Sequence, residues 1–149
     1  MSIDRSLIDS QHLIISSEGY YPEKIKLNNS DSYIIDMTKL DQKYILEDLL
    51  FDYDSYKLTE SVKNFLFLYA QWLKQNDEIN IRIEGHTDSV GSDNYNMTLS
   101  ENRANEVLNF FVSKGILKNR MKAIGFGDKI PVAEGYDGPK NRRIEITVF

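Results

Sequence analysis

The chain has 149 residues, one ordinary domain with some chain to spare, and at 41% apolar and 11% aromatic it can build a core rather than stay disordered. Its 18 Lys and Arg face 23 Asp and Glu, a net charge of −5; no basic run offers the footprint a polyphosphate backbone requires, so general nucleic-acid binding is not expected. The absence of cysteine excludes disulfides, thiol nucleophiles, Cys-type zinc sites and cysteine acylation, and no apolar run approaches the ~18–20 residues of a membrane-crossing helix.

The N-terminal stretch MSIDRSLIDSQHLIISSEGYY has neither the basic segment nor the apolar run of a secretory leader, which leaves a cytoplasmic chain or a segment of a longer exported one. Residues 1–45 read as a β-rich arm or the remnant of a preceding β module. Strands are expected at His12–Ser16, Lys24–Leu27 and Ser32–Met37, with turns at Glu18-Gly19 and Asn28–Asp31. From residue 46 to 149 strands and helices alternate. A short strand is expected at Leu49–Asp54. Val62, Phe65, Leu66, Tyr69, Trp72 and Leu73 then recur at helical spacing, with Thr59 as N-cap and Asn76-Asp77 as the stop. Ile79, Ile81 and Ile83 alternate as a second strand. A second helix covers about Ser92 to Lys114, burying Leu99, Val107, Leu108 and Phe111 and ending at Gly115. Met121–Gly125 and Arg143–Phe149 complete a β-α-β-α-β-β order, which predicts an α+β sandwich of two layers with the helices on one face of a mixed sheet. The intervening loop Phe126–Asn141, rich in Gly and Pro, is long enough to suggest function rather than connection.

Three features carry candidate chemistry. Glu84, His86 and Asp88 are spaced by two, so in an extended chain they share a face and suit a metal, acid–base work or the bonding of a tight turn. A catalytic zinc needs three protein ligands, and the only other histidine is His12, in the arm. Arg103 lies one helical turn from Leu99 and Val107, on the side facing the sheet; a charge buried there needs a ligand or a carboxylate such as Asp88 or Glu84. Arg142 and Arg143 open the last strand, either as a solvated edge or as a carboxylate clamp.

Together, IRIEGHTDSVGSDNYNMTLSENRANEVLNFFVSKGI, MKAIGFGDKIPVA and NRRIEITVF resemble the OmpA-like peptidoglycan-binding domain over about Leu49 to Phe149. The motifs GHTD-x-x-G, YN-x-x-LS-x-x-RA and NRR occur in order. The resemblance implies a non-enzymatic domain, without cofactor or metal, whose partner is peptidoglycan. In that family the HTD aspartate and the RA arginine grip the end group of diaminopimelate in the stem peptide; here these are Asp88 and Arg103. Asn96 of YN, Thr87 of HTD, Phe51-Asp52 of the first strand and Arg142 of NRR match the supporting positions, while Glu84 and His86 are assigned to holding the turn. The loop before NRR is shorter than is usual in the family, which alters the rim near Tyr136 and Lys140. The resemblance places the chain on the periplasmic side of the outer membrane, as a segment of a longer exported protein. A protein-interaction module with a vestigial pocket and a cell-wall hydrolase are the competing readings.

Overall fold

The computed structural model describes residues 3–9, 12–27, 35–47, 51, 55–132 and 139–149. Among them the chain forms β1 (Ile3–Asp9), β2 (His12–Ser17), β3 (Glu23–Lys26), β4 (Tyr44–Glu47), α1 (Glu60–Gln75), β5 (Ile81–Gly85), α2 (Asp93–Ser113), β6 (Met121–Gly125) and β7 (Arg143–Val148), with 3-10 turns at Lys118–Arg120 and Pro139–Asn141.

Strands β1, β2 and β3 make an antiparallel three-stranded sheet. The turn expected at Glu18-Gly19 is present, with Gly19 at φ +81°. Strand β1 has no counterpart among the sequence expectations. Of the strand expected at Ser32–Met37, residues 32–34 lie outside the described residues and 35–37 are not in a strand; the turn expected at 28–31 also lies outside them.

The main sheet has the order β4-β7-β5-β6 and is mixed, β5 being parallel to β6 and antiparallel to β7. The two-layer α+β class is as expected, but its first strand is not at Leu49–Asp54. The edge strand is β4, paired antiparallel with β7, and it straddles the expected boundary between residues 45 and 46. Residues 48–50 and 52–54 lie outside the described residues; Phe51 makes an isolated bridge with Leu58. Partner matching explains β4. Tyr44 stands opposite Ile146 and Leu46 opposite Ile144, so the apolar phase of β4 coincides with that of β7.

Alternation divides the sheet into an apolar and a charged face. Ile81, Ile83, Ile144 and Ile146 are essentially unexposed and meet Leu66, Tyr69, Leu73, Val107 and Phe111 of the helices. Val62, Leu66, Tyr69 and Leu73 form the buried stripe of α1. The carbonyls at the end of α1 are satisfied from a distance: Arg120 donates to the oxygens of Leu73 (3.0 Å), Asn76 (2.8 Å) and Ile79 (2.7 Å). Ser92 caps α2 by accepting from Tyr95 N (3.3 Å). Gly115, at φ +89°, ends it.

The N-terminal segment is joined to this core by Tyr21. Its ring is unexposed and lies 5.2 Å from Tyr44 and 6.1 Å from Trp72 between centroids. Its hydroxyl is shared between the carbonyls of Gln42 (3.1 Å) and Ile146 (3.3 Å) and accepts from Val148 N (3.2 Å). Tyr21 N donates to Thr38 O and Leu40 N to Gly19 O, so the chain just ahead of β4 is pinned to the turn after β2.

Candidate functional site

The polar residues gather where β5 ends. There His86 N donates to Arg143 O (3.0 Å), Thr87 N to Gly127 O (2.9 Å) and Phe126 N to Gly85 O (2.9 Å). Gly85 and Gly125 are partners across β5 and β6. A Cβ on Gly85 would overlap the Ser100 carbonyl, and one on Gly125 would stand 2.5 Å from Glu101 N and Ser100 Oγ. Helix α2 therefore lies directly on the two strands at this point. Ser100 Oγ uses the closeness, donating to Met97 O (2.8 Å) and accepting from Gly127 N (2.9 Å).

The buried face of α2 changes character along its length. Asn96, Ser100 and Arg103 occupy it first, then Ala104, Val107, Leu108 and Phe111. These positions share one side of the helix. Leu99, expected on that side, is only half-buried, because the helix presents Ser100 to the paired glycines instead. Arg103 is buried as expected; its Nε donates to Ser55 O (3.0 Å) and its guanidinium stands 5.0 Å over the Phe51 ring.

Asp88 is buried and takes an arginine from an unexpected place. Its Oδ2 accepts from Arg142 Nη1 at 2.8 Å, and its Oδ1 accepts from Val90 N at 3.3 Å, an Asx turn. Thr87 Oγ1, from the preceding residue, and Asn96 Nδ2, on α2, are buried without a hydrogen-bond partner. Buried polar groups are seldom left so. Of the expected site residues, Thr87, Asp88 and Arg142 meet at the end of β5, Asn96 and Arg103 share the helix face that covers it, and Phe51 stacks on Arg103. Asp52 lies outside the described residues, as does Tyr136; Lys140 is exposed.

Glu84 and His86 do share a face, but with Glu145 rather than Asp88, since the strand that would carry the alternation stops at Gly85. One ligand atom from each of Glu84, His86 and Glu145 lies within 4.8 Å of the others. Cations of the protein already fill this cluster. Glu84 contacts Lys43 Nζ (3.0 Å) and Arg82 Nε (2.5 Å); Glu145 contacts Lys43 Nζ (2.5 Å) and both Nε and Nη2 of Arg143 (2.6 Å each). Two carboxylates thus face three cations, and the charge balance calls for no added metal. Arg143 is not part of a solvated edge: it is almost unexposed, and Nη2 also donates to Ile130 O (3.0 Å). Sequence reasoning missed Lys43, Glu145 and the two glycines. The matching phase of IRIEG and RIEIT, which puts Glu84 opposite Glu145, was the one available signal.

Burial pushes the His86 imidazole down to about 4, and the charges of Arg143 and Lys43 add to this against Glu145 and Glu84. Burial alone would raise Glu145, but hydrogen bonds from Lys43 and Arg143 hold it below its ordinary value. The unfolded chain therefore binds more protons than the folded one as pH falls from 6.5 towards 4, and stability falls with it. The wild-type chain is expected to lose about 2–3 kcal/mol through His86 between pH 7 and pH 4.5. His86→Gln lacks that component, so its urea-unfolding free energy should vary less over the same interval; an equal loss in both proteins would show that His86 is not the group concerned.

Fold and site together define a two-layer α+β domain that presents a buried acidic group, an arginine and unpaired polar atoms at the end of a central strand. Residues 50–145 match the OmpA family, and the chain belongs to it. Outer membrane porin F of Pseudomonas aeruginosa is 39% identical over 105 residues, covering 68% of this chain and 30% of that protein. The peptidoglycan-associated lipoprotein of Brucella melitensis is 38% identical over 85 residues, or 57% of this chain and 51% of that one. The chain thus spans about a third to a half of the length of these curated relatives. The crystal structure of the peptidoglycan-associated lipoprotein from Burkholderia pseudomallei superposes with a TM-score of 0.64 and 32% identity over 70% of this chain and 91% of that one. An outer membrane protein structure from Borrelia burgdorferi, with a TM-score of 0.56 and 20% identity, covers 99% of this chain and 97% of its own, a likeness of fold alone.

Proposed function

We propose that this domain binds peptidoglycan without covalent chemistry, through the diaminopimelate residue of the stem peptide, and so ties the outer membrane to the cell wall from its periplasmic side. The observation that carries this reading is the polar cluster at the end of β5: a buried Asp88, preceded by the buried Thr87 whose Oγ1 is unpartnered, with Asn96 Nδ2 of the covering helix also buried and unpartnered. Asp88 accepts from the ligand's ammonium. Its oxygens accept from Val90 N and Arg142 Nη1, and a carboxylate has sites for about four hydrogen bonds. Arg103 and Arg142 offer guanidinium forks to the ligand's carboxylates. Charged hydrogen bonds contribute about 1.5–3 kcal/mol each, enough with packing for micromolar affinity after association costs of several kcal/mol.

The reading is one of binding rather than catalysis. A general base has to reach the proton it abstracts, and His86 is 1% exposed and stacked on Phe126 with 5.5 Å between ring centroids. The membership of the chain in the OmpA family and the names of its relatives support the choice of ligand. Calorimetric titration with a diaminopimelate-containing stem peptide, beside a lysine-containing one, tests it. Binding of the first and not the second is expected; a folded chain that binds neither would sink the proposal.

A further inference from the structure

We propose that Lys43 is a positioning residue for this site, its ammonium holding together the ion-paired layer on which Asp88 and Arg142 are mounted. The inference rests on the binding reading above. Glu84 and Glu145 stand directly opposite each other on β5 and β7 and are both buried. Like charges so placed repel, and Lys43 Nζ bridges them, 3.0 Å from Glu84 Oε2 and 2.5 Å from Glu145 Oε2. Arg82 and Arg143 each serve one of the carboxylates; Lys43 serves both.

From this bridge a bonded path leads to the pocket. Glu145 Oε1 fixes Arg143, whose carbonyl accepts from His86 N and whose Nη2 reaches Ile130 O. His86 is followed by Thr87 and Asp88. On the other side, the buried Asn141 accepts at Oδ1 from Val132 N (2.9 Å). Arg142 is thus flanked by two anchored neighbours, and its own guanidinium goes to Asp88 at 2.8 Å. Without Lys43 the two carboxylates regain their repulsion, and the strands that carry them, with Arg143 bound to Glu145, are pushed apart. Lys43 itself comes from outside the strand–helix repeat. It sits at the end of the segment pinned by Tyr21 to the turn after β2, so docking of the N-terminal segment and ligand affinity are linked through one ammonium.

The test compares the wild-type chain with Lys43→Met and Lys43→Arg. It reads stem-peptide affinity by calorimetry and the titration of the His86 ring by NMR, with the thermal midpoint as a check on the fold. The groups facing His86 are Arg143, Lys43, Glu145 and Glu84. Lys43→Met should weaken binding about tenfold and move the His86 titration upwards from about 4, because Lys43 is one of the two cations that oppose its protonation; Lys43→Arg should restore both. A purely structural role would lower the midpoint and leave the affinity of the folded fraction unchanged. Lys43→Gln, which keeps a donor without the charge, carries the comparison if Lys43→Met does not fold. Wild-type affinity in Lys43→Met or Lys43→Gln, beside a wild-type chain that binds, overturns this proposal alone. A wild-type chain that does not bind the peptide overturns the functional reading and this proposal with it.

Discussion

Asp88→Ala and Arg103→Ala are each expected to weaken binding of the diaminopimelate stem peptide about 10- to 100-fold, with the far-UV spectrum unchanged. The magnitude is that of one lost charged hydrogen-bonding group, about 1.5–3 kcal/mol. The two losses differ in kind. Removing Asp88 takes away the acceptor for the ligand's ammonium and one ion-pair partner of Arg142, whose side chain is 34% exposed and readily solvated. Removing Arg103 empties a buried position between Phe51 and the Ser55 carbonyl, so this variant also loses some stability. Asp88→Asn and Arg103→Lys separate charge from shape: the first keeps the Asx turn without the negative charge, the second keeps the positive charge without the fork. Titration of all four against the same peptide checks the assignment. Alanine variants that bind like the wild type would remove Asp88 and Arg103 from the site.

Gly85→Ala is expected to be the most damaging conservative change in the domain. The new Cβ would collide with the Ser100 backbone carbonyl, with the carbonyl carbon at 2.9 Å and Cα at 3.3 Å, and no flexible side chain is there to give way. Relief has to come from moving α2 off β5. Overpacking of this sort costs about 1–3 kcal/mol or more, a fall of roughly 5–10 °C in the thermal midpoint for a chain of this size. Because α2 carries Asn96 and Arg103, affinity should fall as well, even under conditions where the variant is fully folded. Gly19→Ala is the contrast. Gly19 is in the left-handed region at φ +81°, with open space where a Cβ would go, so alanine there costs only backbone strain of about 1 kcal/mol and leaves binding alone. A melting curve and one titration for each variant decide the matter; equal stability in Gly85→Ala and wild type would mean that the helix does not rest on the strand as described.

Local pattern was enough for the elements whose signals are local. The stripe from Val62 to Leu73 and its Thr59 cap lie at the observed bounds of α1, and Ser92 and Gly115 bracket α2. Met121–Gly125 is a strand as expected, since alternation is a property of neighbouring residues. The ordered GHTD, YN, RA and NRR motifs also sufficed to indicate the family, because they are strings, and strings can be matched without a fold.

Pairing across the chain was decided only in three dimensions. Strand β4 is the edge of the sheet because Tyr44 and Leu46 meet Ile146 and Ile144, residues about a hundred positions away. Asp88 pairs with Arg142 because Gly85 ends β5 and the chain turns towards the start of β7; alternation along GHTD put it on one face with Glu84 and His86. Arg142 and Arg143 are adjacent in sequence, yet one reaches the pocket while the other is buried against Glu145. Composition at a strand end does not tell such neighbours apart, because a side chain's environment is set by what packs against its face of the sheet. The same holds for Lys43. By itself it is one lysine in a polar stretch, and only the opposition of Glu84 and Glu145 across two strands makes it the cation that their burial requires.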